Sequence, residues 1–451
     1  MGIFNILGTA RDGILAQSAA MTTTGQNISN VSTPGYVRRR TVLEPTNEGG
    51  VRVGMAQRTF DRFSFGHMVN EQSKYSAAQA RSNALTELEI AVAPPSGSVA
   101  DDAVALVKAF NTLAAFPIDP SLRADTIAKA KNLANTFSSS AKSIERTSEG
   151  LLERARDTVD EVNAGLKSIA DFNRQVAVAS GTTGDSGGLR DQRDLAIREI
   201  GKRIGARAIE DAEGRVTLFA AGSVLVEGSN FSPLSMDLDT DSSMRFYVEG
   251  ATKNNITSRI DSGSLGGIRE ARDVDIVRAR NALDDFAYDV ATTFNAVHIT
   301  GVGSDGTTGR NLFVPPTTQA GAAASMALNP DLIDHPERIG ASGSAADLPG
   351  GNAVARALGD LGSTPAFGGA TLAERFADIA TDVGLRKNAA DSETSLRTDT
   401  LAVAEQLESS ANSVSLNEEM VDMTQYQRAF EAATKMLRVA DELLQQLMEA
   451  V

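Results

Sequence analysis

A chain of 451 residues exceeds what one hydrophobic core organises, so two or three domains are expected. Its 58 Asp and Glu against 43 Lys and Arg give a net charge of −15, with no Cys, no Trp and only 5% aromatics. These figures exclude disulfides, thiolate metal sites and cysteine nucleophiles, and they argue against a nucleic-acid binder, which needs a basic face for phosphate. The densest basic cluster, Arg38-Arg39-Arg40, falls in an extended segment whose side chains alternate faces, so it forms no single patch.

From Ile3 to Val31 apolar residues recur in heptads. Leu7, Ile14, Met21 and Ile28 lie seven apart, with Ile3, Ala10 and Val31 in a companion seam. Arg11, Gln17, Ser18, Thr22 and Gln26 occupy the expected outer face. The helix, roughly 40 Å long, is predicted to stop in the segment 27–35, where Asn, Ser and Thr compete for backbone bonds and Pro34 disfavours helix at Thr33. Nothing at this end has the basic region and long apolar core of a secretory signal. No run approaches the ~20 apolar residues of a membrane span.

Residues 68–92 and 99–178 read as largely helical, broken at Pro94-Pro95-Ser96-Gly97 and between Phe116 and Pro120. A Gly-rich turn at 181–188 precedes a short predicted helix, Leu189 to Ile204. Short alternating runs then predict strands near 208–209, 215–219, 223–226, 244–248 and 255–260. Helix is expected again over 274–297, a Gly/Ala/Ser/Pro-rich stretch over 300–370, and a last helical block from about Leu372.

At the C-terminus Leu416, Met423, Phe430, Leu437 and Leu444 are spaced by seven, with Tyr426, Ala433, Ala440 and Leu447 as companions. Glu418, Asp422, Arg428, Glu431, Lys435 and Arg438 are expected outside this seam. Heptads sustained this long predict a coiled coil. Two seamed helices at opposite chain ends predict mutual pairing. The predicted fold is mainly α with an inserted small β domain. The terminal helices (1–66 and 400–451) would form a paired, coiled-coil-like layer, residues 67–204 and 263–399 a helical middle domain, and 205–262 a β-rich outer domain.

Chemistry is sparse. His67, His298 and His335 have no metal-ligand spacing, and His298 reads as a capping or packing residue at a helix end. No phosphate loop or nucleophile elbow occurs. Gly301 to Gly306 follows a helix rather than a strand and lacks a dinucleotide loop's third glycine, and EF-hand spacing is missing. Carboxylate pairs Asp284-Asp285 and Glu418-Glu419 are expected on exposed helix faces. Asp191 and Asp194 share a face beside Arg190 and Arg193, which reads as ion pairing at the start of a helix. No catalytic residue, cofactor or metal is predicted.

Four segments carry a resemblance. Gly25 to Tyr36, with Asn27, Asn30, Pro34, Gly35 and Tyr36, resembles the N-terminal signature of flagellar rod, hook and hook-associated proteins. Asp191, Gln192, Arg193 and Asp194 look like the central Asp-Gln-Arg-Asp motif of the hook-associated protein 1 family. Gly263 to Ile268, with Phe294 to His298 and Leu312-Phe313, is similar to that family's second half, and Val414 to Met420 with Gln425 to Phe430 to its terminal helix. The resemblance implies an extracellular structural protein of the flagellum that joins hook to filament, exported without a cleaved signal. It further implies assembly with its own copies, the hook protein and a second junction protein. A cytoplasmic export chaperone would hold the C-terminal helix. Neither nucleic acid nor membrane is a partner. With only 205–262 in β structure, the outermost domain of longer members is expected to be absent or vestigial. Two alternatives stay open: a hook or distal rod protein, and a secreted enzyme on axial-type ends, which would need a catalytic cluster within 206–370.

Overall fold

The computed structural model describes residues 3–46, 50–182, 186–211, 213–250 and 252–449; the side chains of Ile3 and Thr182 and part of the turn expected at 181–188 lie outside the described residues. The chain is mainly α-helical with small antiparallel sheets. Helix α1 (Ile3–Ser29) leads into a hairpin of β1 (Arg39–Pro45) and β2 (Val51–Arg58). Helix α2 (Arg62–Val92) begins where the Asp61 carboxylate accepts from the Phe63 and Ser64 amides and ends before Pro94-Pro95, which cannot continue a helix. Helix α3 (Val99–Ala115) opens with a reciprocal Ser98–Asp101 capping box. Helix α4 (Pro120–Thr182) has 63 residues, about 95 Å at 1.5 Å per residue. The Asp-Gln-Arg-Asp segment lies in α5 (Gly187–Ile204).

Seven short strands follow. Strands β3 (Arg207–Glu210), β4 (Val216–Ala220), β5 (Ser223–Glu227) and β6 (Asn230–Phe231) pair in sequence order. A second sheet orders β7 (Leu234–Leu238), β8 (Met244–Val248) and β9 (Asn254–Asn255). The run expected as strand over 255–260 instead turns into a 3₁₀ segment, Thr257–Arg259, where the Asn255 side chain accepts from the Thr257 amide and the Thr257 hydroxyl accepts from the Phe246 amide of β8. Two asparagines of α4 dock the sheets. Asn173 donates to the Val216 and Gly228 carbonyls and accepts from the Val216 amide, while Asn163 exchanges both bonds with Leu234. Each fills backbone valences that a sheet end buried against a helix leaves open.

Helix α6 (Gly263–Glu270) starts eleven residues earlier than predicted and runs through a π-helical segment, Ala271–Ile276, into α7 (Val277–His298). A Cβ on Gly267 would overlap the Ala77 carbonyl of α2, so only glycine permits this approach. Asp275, on the π segment, is fully buried. It accepts from Arg81 of α2 (2.8 and 3.1 Å) and from Arg386 (2.8 Å) of α10 (Leu372–Asn412). The stretch 300–370 contains only α8 (Ala322–Ser325), α9 (Ala353–Asp360) and 3₁₀ turns, yet it is anchored to the helical core. Phe294 gathers Phe110, Phe313 and Phe367 at centroid distances of 6.2–6.4 Å, and Phe286 sits between Phe137 and Phe376. Asp284 belongs to the same anchorage. It is buried, not exposed, because its carboxylate accepts from the Gly321 and Ala323 amides at the start of α8. Helix α10 passes residue 400 unbroken. The chain turns only at 413–415 before α11 (Leu416–Glu449).

Candidate assembly interface

The first and last helices pack on each other, and α1 also rests on the β1–β2 hairpin. Their contributions are unequal. On α1 the buried positions are Ala10, Ala16, Ala20, Thr23, Thr24 and Asn27, and Gly13 faces Ala433, whose Cβ an added Cβ would meet at an ordinary 3.5 Å. Leu7, Ile14, Met21 and Ile28 are half-buried along one edge of this small-residue face. Gln17, expected outside, is turned inward, and its Oε1 lacks a hydrogen-bond partner. Small side chains let the two backbones approach, which explains the inversion. On α11 Met423, Tyr426, Phe430, Leu437 and Leu444 are half-buried and Ala440 fully buried, whereas Leu416 and Leu447 stand 46% and 54% exposed. Leu416 starts the helix beside the turn and Leu447 lies in its last turn, so neither has enough of α1 beside it.

A polar knot closes one end of the pair. Glu419 is buried, not exposed: its carboxylate accepts from Arg38 Nε (2.6 Å) and from Asn27 Nδ2 (3.0 Å). Arg38 also reaches Glu418 (2.8 Å) and Asp422 (3.3 Å), and its amide donates to the Asn412 carbonyl. Partial burial alone would lower the Arg38 pKa, but the three carboxylates, Glu419 foremost, hold it above its usual value. Asn27 uses both ends of its amide, donating also to the Arg39 carbonyl and accepting from the Arg39 amide and the Tyr36 hydroxyl. Asn30 caps locally, through Gln26 and Thr33, and Pro34 is exposed. Gly35 has φ +76°, and a Cβ there would overlap Leu195 of α5. These features turn the chain from α1 into β1.

The Asp-Gln-Arg-Asp segment is a joint between hairpin and sheet, not a set of pairs within one helix. Asp191 meets Arg39 (3.3 Å) and Arg58 (2.9 Å), the latter as an ion pair without hydrogen-bond geometry. Asp194 accepts from Arg58 at 2.7 Å. Arg193 is buried and points the other way, to Glu210 of β3 (3.0 Å), the Gly214 carbonyl (2.6 Å) and Asn173 (3.3 Å). Burial pushes both aspartate pKa values up, against the opposing pull of Arg58 and, at Asp191, Arg39. Gln192 is exposed. The motif was visible in the sequence, but the partners of its two aspartates, Arg39 and Arg58, lie in strands far earlier along the chain.

His298 is buried. Its Nδ1 lies 2.8 Å from the Arg310 carbonyl and its Nε2 accepts from the Gly340 amide, so it is neutral and pins the segment after α7. His67 is exposed and His335 half-buried. Among the described residues no group of three or more His, Asp or Glu could hold a metal ion, and no helix is long and apolar enough to cross a membrane.

This arrangement defines a helical structural protein whose two chain ends form one unit, tied by arginine–carboxylate contacts to the body they flank. The family described as the flagellar hook-associated protein FlgK helical domain matches residues 85–313, and the flagellar basal body rod FlgEFG protein C-terminal family matches 407–450. The chain belongs to the FlgK family. It is 28% identical over 326 residues to flagellar hook-associated protein 1 of Salmonella typhimurium, covering 68% of this chain and 59% of that protein. The chain thus spans 59% of that relative's length. With flagellar hook-associated protein 1 of Bacillus subtilis it shares 25% identity over 500 aligned positions, covering 99% of this chain and 98% of that one. The solved structure of the flagellar hook junction protein FlgK from Burkholderia pseudomallei is similar in fold, with a TM-score of 0.51 and 23% identity over 55% of this chain and 46% of that one.

Proposed function

We propose that this chain is a structural axial subunit of the bacterial flagellum that joins hook to filament and lets the filament assemble at the distal hook end. The observation that carries this reading is the thinness of the terminal pair. The α11 seam residues Met423, Phe430, Leu437 and Leu444 are only half-buried by α1. Two helices alone cannot cover both their apolar faces, so neighbouring copies would have to complete the layer. In this reading the terminal helices line an inner tube, the helical body surrounds them, and the β region lies outermost. Leu416 and Leu447 would be covered there by neighbours. Its partners are its own copies, the hook protein and a second junction protein, and a cytoplasmic chaperone guards the C-terminal helix during export. The chain then works extracellularly. A role in the hook or distal rod is the second reading, and it draws on the rod-family match at 407–450.

Deletion of the gene separates the two. The junction reading expects intact hooks with filament subunits lost to the medium; loss of the hooks themselves favours the rod or hook. Removing residues 416–451 should leave a folded body unable to restore motility. Leu437→Asp places a charge in the seam and should do the same, so full motility in that variant refutes the seam.

A further inference from the structure

We propose that two unpartnered helix faces of this chain fit each other, so that the outer face of α10 on one copy docks on the outer face of α11 on another. This rests on the reading of the chain as an assembling subunit and names one of the contacts. On α10, whose opposite side packs on α2, Leu385, Leu396, Val403 and Leu407 are 53–64% exposed. Their spacing of 11, 7 and 4 residues sets them in one stripe. On α11, whose opposite side packs on α1, Val421, Met436, Val439 and Leu443 are 44–66% exposed and form a second stripe, distinct from the seam. Each stripe spans 22 residues, about 33 Å.

Their charges are opposite. Glu393 and Asp399 border the α10 stripe, and Asp399 has no ion-pair partner among the described residues; Glu393 shares only an exposed 3.4 Å contact with Arg397. Arg428 and Lys435 border the α11 stripe, and neither has an ion-pair partner among the described residues. Glu393 and Asp399 lie 8 and 14 residues after Leu385; Arg428 and Lys435 lie 7 and 14 after Val421. Counted back from Leu407 the acidic pair falls at 8 and 14 again, so acidic and basic groups lie at matching levels along the axis whichever way the helices run. The exposed face of α1 is a poorer match, because it offers Phe4 and Leu15 with a single arginine, Arg11, already held by Asp12. A contact between two different faces of identical chains is heterologous, so it propagates into a ring or a helix rather than closing as a dimer.

The absence of cysteine makes the test direct. Copies carrying Leu396→Cys and copies carrying Ala432→Cys, both at stripe centres, are mixed in full-length form at concentrations where the chain self-associates, and then oxidised. The expected product is the mixed disulfide. No crosslink, or equal crosslinking of Leu396→Cys with itself or with a Leu15→Cys copy, overturns the proposal. Glu393→Arg with Asp399→Arg should lower the crosslink yield about tenfold, since two exposed ion pairs become repulsive. Adding Arg428→Glu and Lys435→Glu to the same chain should restore it; failure to rescue, with unchanged helicity and melting temperature, also refutes the match. Complementation keeps the two readings apart. If the unaltered chain restores filaments but the charge-reversed one does so equally well, the junction reading survives and this contact does not.

Discussion

Glu419→Gln isolates the knot that ties the chain ends. The substitution keeps size and shape but removes the charge, and the geometry forbids a neutral replacement. Gln can offer one oxygen to Arg38 Nε, yet its amide nitrogen then faces Asn27 Nδ2, a donor against a donor. Asn27 cannot flip to adapt, because its oxygen already accepts from Tyr36 and Arg39. The loss is one charge-assisted bond outright and the weakening of another. Arg38, a quarter exposed, keeps Glu418 and Asp422, which softens the effect below that of a fully stranded buried charge. A cost of about 2 kcal/mol follows. Because few contacts cross from the terminal pair to the body, the cost should appear as local opening of α1 and α11 rather than global unfolding. Amide hydrogen exchange on the monomer reads it: protection over 10–28 and 419–440 should fall about thirtyfold, with α2–α7 unchanged. Glu418→Gln, whose carboxylate is largely exposed, should change protection less than about fivefold. Equal effects from the two substitutions, or none from Glu419→Gln, would refute the buried knot.

Three further outcomes are expected. Asp275→Asn leaves Arg81 and Arg386 facing an uncharged group in the core and should lower global stability by about 3 kcal/mol in urea unfolding, without changing the exchange of α11. Asn173→Leu removes three bonds to the first sheet and strands the Val216 amide and carbonyl; we expect about 2–3 kcal/mol and early proteolysis within 207–231. Burial depresses the His298 pKa below 6.5, against the smaller opposing effect of the bond to the Arg310 carbonyl, so the unfolded chain binds the extra proton first. Stability from this group is complete above pH 6.5 and falls as acid drives the pH below it, by up to about 1.4 kcal/mol per pH unit. His298→Gln should flatten that slope, and a slope unchanged in the variant assigns it to other groups.

Much of the helical layout could be read from periodicity and from the breaks at Pro94-Pro95 and Pro117–Pro120, since both act locally. The α11 heptad was legible for the same reason: large side chains repeat at a helical period. The α1 face was not. Its buried positions are Ala, Thr and Asn, which a hydrophobic pattern weights little, and the larger Leu7, Ile14, Met21 and Ile28 drew attention to the neighbouring stripe. Polar burial was the other blind spot. Glu419, Asp284, Asn163 and Asn173 look like surface residues because the groups that satisfy them lie between 20 and 392 residues away along the chain. No local pattern marks such partners. The Asp-Gln-Arg-Asp segment shows the limit well, since its residues were evident and its role as a joint between hairpin and sheet was not.

The knot joining Asn27 to Glu419 has a consequence in time. These residues are 392 apart, and synthesis in the N-to-C direction has passed α2 to α10 before Glu419 exists. Helix α1 is therefore made long before α11 and waits through the intervening elements for its partner. Throughout that interval its narrow face of alanine, glycine and threonine is weakly sticky, whereas a face of leucines would recruit any passing apolar surface. The bulkier seam residues Met423, Phe430 and Leu437 sit instead on α11, which is made after α1 and so waits less.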